Sequence, residues 1–96
     1  MKIRDLVDRA HKNAQNKGFW DERREKGTLL MLVVSELGEA VEADRLGDEE
    51  NFCEEIADTF IRLADFCGGY GIDIEKHIAK KMAKNEKRKK LHGKKY

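Results

Sequence analysis

The chain has 96 residues and a mass of 11.1 kDa, with 41% charged residues, 40% hydrophobic residues, seven aromatics, eight glycines and no proline. That is one domain, residues 1–96, too poor in β-branched residues for a sandwich or barrel, and too periodic in its apolar residues for disorder. No apolar run approaches the length of a membrane span, and the charged amphipathic start Met1-Lys2-Ile3-Arg4-Asp5 does not resemble a signal peptide. Cys53 and Cys67 stand outside any CxxC pair, which suits two reduced, partly buried thiols in a cytoplasmic protein.

Four helical segments are expected. The first runs roughly from Lys2 to Asn16, with Ile3, Leu6, Val7, Ala10 and Ala14 on one stripe. Gly18 ends it, and Phe19-Trp20-Asp21 connects it to the second, from about Glu25 to Leu46. The run Leu29 to Val34 is apolar all round, which predicts a central helix covered on several sides. Gly47 stops that helix, and Asp48 is placed to cap a third from about Glu49 to Cys67, with Phe52, Ile56, Phe60, Leu63 and Phe66 on its apolar side. Gly68-Gly69-Tyr70-Gly71 breaks the chain, and a fourth helix starts near Asp73 and becomes a basic tail over about 83–96. Short connections favour antiparallel neighbours, so the expected fold is all-α: a four-helix, up-and-down bundle-like protomer. So small a core, with one helix apolar on every side, predicts completion by oligomerisation as a homodimer or homotetramer.

Charge is unevenly distributed although the net charge is +1. Residues 35–65 hold eleven acids against Arg45 and Arg62, and residues 76–96 hold ten bases against Glu86. Within the acidic stretch, Glu36 and Glu39 lie one turn apart in a sector otherwise lined by apolar residues. Buried carboxylates must be paired, protonated or bound to a metal. Glu55 and Asp58 repeat the spacing on the third helix. There Glu55 lies at the edge of the apolar arc, while Asp58 points away from it, near Ile61 and Asp65. Alone, that is a solvated acidic face. If it meets the second helix, four carboxylates come together, and neighbours about 4 Å apart repel by roughly 4 kcal/mol per pair at an effective dielectric of 20. Cations between them would relieve this, and an all-oxygen donor set suits Mg²⁺ or Mn²⁺. On the fourth helix, Lys81, Asn85 and Arg88 share one face and suit phosphate oxygens. The same run can equally be a solvated tail or a nonspecific nucleic-acid contact, though the acidic middle would repel a polyanion.

Ser35-Glu36-Leu37-Gly38-Glu39-Ala40 followed by Glu55-Ile56-Ala57-Asp58 resembles the ExxE…ExxD signature of the MazG-like nucleotide pyrophosphohydrolases, in the all-α NTP pyrophosphatase superfamily. The resemblance extends from Gly18-Phe19-Trp20-Asp21 to the Lys81…Asn85…Arg88…His92-Gly93-Lys94 ending. One departure is Ser35, where many relatives carry a further glutamate. The resemblance implies a Mg²⁺-dependent (or Mn²⁺-dependent) hydrolase that converts a nucleoside triphosphate to the monophosphate and pyrophosphate, keeping nucleotide pools clean. Glu36, Glu39, Glu55 and Asp58 would be the metal ligands, with Glu36 or Glu39 also the catalytic base. Lys81, Asn85 and Arg88 would meet phosphates, and Trp20 would stack on the base or simply plug the connection hydrophobically. His11 and His77 have no partner at a telling spacing. Two rival readings are a non-catalytic, metal-stabilised interaction module, favoured by Ser35, and a small nucleic-acid-associated protein using its basic tail.

Overall fold

A computed structural model describes residues 1–88, so the end of the basic tail, His92-Gly93-Lys94 included, lies outside the described residues. The chain is all-α, with α1 (Ile3–Asn16), α2 (Lys26–Arg45), α3 (Glu49–Gly69) and α4 (Ile74–Glu86). Local chemistry sets the helix ends. Asp48 and Asp73 cap α3 and α4, their carboxylates accepting from Asn51 N at 3.1 Å and Lys76 N at 3.3 Å. The α2–α3 turn is a Schellman motif: Gly47 sits at φ 70°, its N–H donates to Asp44 O, and Asp48 N donates to Ala43 O. Only glycine holds that φ without strain, and the tight turn folds α3 back along α2.

The central helix is α3 rather than α2. It packs against both α1 and α2, and it buries Ala64, Asp65, Phe66 and Cys67. Helix α2 is covered along one line only, Leu29, Glu36, Ala40 and Ala43, where small alanines let it approach α3 closely. Leu30, Met31, Val34, Leu37 and Val41 remain exposed. An all-round apolar sequence shows that a helix is to be covered but not by what, and one chain supplies cover for one side of it.

Helix α4 packs on α1, pinned by Arg4 to Glu75 at 2.6 Å, and buries no residue. The expected all-α protomer has its four helices arranged with α3 between α1 and α2 and with α4 attached to α1. Its radius of gyration is 16.2 Å, against roughly 12.5 Å for a compact 96-residue domain.

Two details differ from the sequence reading. Helix α3 runs through Gly68 and Gly69 instead of stopping there, because α1 and the connection pack where side chains would stand. A Cβ on Gly68 would lie 2.7 Å from His11 Cβ, and one on Gly69 would lie 2.1 Å from the Trp20 ring. Gly69→Ala is expected to destabilise the fold by about 1–3 kcal/mol, the range for overpacking, despite alanine's better helix propensity; urea denaturation of the two proteins measures it. The cysteines also part ways: Cys53 is exposed, while Cys67 is buried and its thiol pushed above its usual range by burial.

Candidate active site

The buried line of α2 brings Glu36 to α3. Its side chain accepts a hydrogen bond from Arg62 Nε at 2.6 Å, and the guanidinium holds its carboxyl below the ordinary 4.5. Glu39, one turn further along α2, is exposed, so only the first of the two glutamates lies inside the apolar packing. Glu55 reaches across from α3. Oxygens of Glu36, Glu39 and Glu55 all lie within 4.8 Å of one another.

Glu55 Oε2 is buried without a hydrogen-bond partner. The neighbouring Glu39 carboxylate foremost, then burial and Glu36, push the Glu55 carboxyl up to about 7. Three crowded carboxylates with one arginine to balance them favour holding a proton on Glu55. The donor set fits a hard divalent cation: three carboxylates from two helices, with one buried oxygen lacking a partner.

The sign of the pH dependence follows. Because the folded state raises the affinity of Glu55 for its proton, that group's contribution to stability is present below about 4.5 and is lost as pH rises toward about 7. A cation must displace the same proton. The affinity for any divalent cation held there is therefore expected to rise with pH up to about 7 and then level off. Calorimetric titration at several pH values, with proton release read from the buffer dependence, checks this.

Asp58 is not in the triplet. It is exposed on the next turn of α3 and lines, with Glu36, Arg62 and Asp65, an open cleft of about 570 Å³ whose lining also includes Asn13, Lys17, Phe19 and Arg24. Lys81, Asn85 and Arg88 are exposed on or just beyond α4, whose packing is on α1; the cations sharing a cavity with Glu36 are Lys17, Arg24 and Arg62.

Trp20 is half-buried and well connected. Its indole N–H donates to Asp65 Oδ1 at 2.8 Å, His11 Nδ1 lies 2.9 Å from the same oxygen, and the ring meets His11, Phe19 and Tyr70 edge to face. These contacts tie α1 and the connection to α3. The solvated acidic face expected around Asp58, Ile61 and Asp65 is thus covered at its C-terminal end, where Asp65 is only 8% exposed. Sequence reasoning gave His11 nothing and counted Arg62 only as a base among acids. The one signal for Arg62 was its place one turn after Asp58 and two after Glu55; His11 and Asp65 meet across 54 residues and no local pattern reveals that.

Helices α2 and α3 thus converge on a carboxylate triplet beside a cavity lined by Lys17, Arg24 and Arg62 as well as by Glu36, Asp58 and Asp65. The sequence profile of the MazG nucleotide pyrophosphohydrolase domain matches residues 24–92, more than half of the chain. The protein belongs to the MazG nucleotide pyrophosphohydrolase family, as the ExxE…ExxD resemblance implied. No curated protein and no solved structure matches it. Among the described residues, no helix is long and apolar enough to cross a membrane.

Proposed function

We propose that the protein hydrolyses ribo- or deoxyribonucleoside triphosphates between the α- and β-phosphates, giving the monophosphate and pyrophosphate, with Mg²⁺ or Mn²⁺ as cofactor. The observation that carries this reading is the Glu36–Glu39–Glu55 triplet, with its buried, unpartnered Glu55 oxygen, in a chain of the MazG family. Asp58, beside the triplet, completes the proposed ligand set. A bound divalent cation would supply neutralisation of the phosphate charge and a more acidic water.

The chain's own residues supply the rest. Glu39 is exposed where Glu36 is buried and engaged with Arg62, so Glu39 is the better placed to take a proton from an attacking water. Arg62, Lys17 and Arg24 line the neighbouring cavity and can hold phosphate oxygens there. Lys81, Asn85 and Arg88 would add to them from α4 of a neighbouring subunit, and Trp20 would border the base. The exposed apolar rows on α2 and α3 support a homodimer or homotetramer.

Phosphorus NMR of the pure protein with mixed ribo- and deoxyribonucleoside triphosphates and Mg²⁺ tests the reading. Pyrophosphate and monophosphate, abolished by EDTA, are expected. Orthophosphate with diphosphate would mean another reaction, and no turnover with either metal would leave a binding module.

A further inference from the structure

Within the reading of the carboxylate triplet as a metal site, Arg62 stands out as the group that already occupies part of it. Its Nε lies 2.6 Å from Glu36 Oε1, and the two side chains differ in freedom: that of Glu36 is 11% exposed, that of Arg62 40%. The carboxylate is fixed by packing and the guanidinium is not. The arginine is the one cation paired with the triplet among the described residues, and it leaves Glu55 uncompensated. A divalent cation ligated by Glu36 would bring a second positive centre against the guanidinium in a half-buried place, where screening by water is weak. The more exposed, singly charged partner then gives way.

The space to receive it is present. Arg62 already lines the open cleft that runs from Glu36 past Asp58 and Asp65 to Lys17 and Arg24. There its planar fork suits a phosphate oxygen pair, with Lys17 and Arg24 contributing further charge. We propose that Arg62 is the resident counter-ion of the carboxylate cluster, and that metal binding displaces it from Glu36 into the adjacent cleft, where it becomes a phosphate-binding group. Metal binding and anion binding are thereby coupled, since the first frees the receptor for the second.

Removing the competitor should tighten the metal. Mn²⁺ binding to the nucleotide-free protein, followed by electron paramagnetic resonance of the free ion, is expected to be about tenfold tighter in Arg62→Met than in wild type, the equivalent of one charge-assisted hydrogen bond removed. Arg62→Lys, which keeps the charge, should fall between them and guards against a folding defect. If Arg62 instead positions Glu36 for the metal, Arg62→Met binds Mn²⁺ more weakly; weaker or unchanged binding overturns the proposal. The single tryptophan reports the movement, because Trp20 and Arg62 line one small cavity beside Asp65. Mg²⁺ should change Trp20 emission along the binding curve in wild type and not in Arg62→Met, and a silent wild type overturns the displacement. Glu39→Gln separates this failure from that of the metal site itself: if Mn²⁺ binds wild type and Glu39→Gln alike, the metal-site reading fails, whatever Arg62 does.

Discussion

Glu39→Gln is expected to lower turnover of nucleoside triphosphate by about 10³-fold, within the range for loss of a positioned proton acceptor, while leaving the melting temperature nearly unchanged. The two halves of this result have separate causes. Glu39 is exposed, and exposed substitutions away from caps and networks usually shift stability by less than about 0.5 kcal/mol. Its carboxylate nevertheless stands within 4.8 Å of Glu36 and Glu55 and is the foremost cause of the raised Glu55 carboxyl. Replacing it with an amide removes the proposed ligand, the proposed base and a source of repulsion together. Glu55 should then give up its proton at lower pH, so the pH at which the remaining metal affinity levels off should fall as well. Glu36→Gln is a poorer probe, since it also weakens the buried bond to Arg62 and mixes folding with function. Steady-state kinetics and thermal melts of both variants, with and without Mg²⁺, separate these effects.

The second large effect concerns the faces that a single chain leaves bare. Val34 and Val41 are 51% and 54% exposed in the protomer, in one row with Leu30 and Leu37. If the chain acts alone, Val34→Asp with Val41→Asp is a pair of surface changes of little consequence. In a homo-oligomer built on this row the same pair places two carboxylates in an apolar interface, costing several kcal/mol without partners. The wild type is expected to elute with a light-scattering mass at a multiple of 11.1 kDa. The double variant should fall to the monomer, with a large drop in melting temperature. A monomeric wild type, or a double variant of unchanged mass, would contradict the oligomer. The radius of gyration of 16.2 Å and the absence of any fully buried large side chain among the described residues both favour association.

Much of the fold can be read from local chemistry. Gly18, Gly47 and Gly71, each at positive φ, punctuate the helices close to where apolar periodicity ends them, and Asp48 caps α3 as its position suggests. The spacing of Glu36 with Glu39 and of Glu55 with Asp58 pointed to a cluster of four carboxylates only on the condition that the two helix faces meet; the faces meet, but Asp58 stays outside the triplet. What sequence could not provide depends on contacts between distant segments. Trp20 and Asp65 are 45 residues apart, and their bond, with that of His11, turns a stretch that reads as solvated acid into an anchor for α1. Arg62 reads as one base among eleven acids until the Glu36 oxygen is placed beside it. The order of packing, with α3 rather than α2 at the centre, likewise depends on which face of α1 is used, and an amphipathic stripe does not specify its partner.

In the proposed reaction the carboxylate cluster directs water onto the α-phosphorus of a nucleoside triphosphate. Hydrolysis in ¹⁸O-labelled water, with mass spectrometry of both products, tests it most directly. Label in the nucleoside monophosphate and none in the pyrophosphate is the predicted result. Label in the pyrophosphate, or release of labelled orthophosphate, would place the attack on another phosphorus and contradict it.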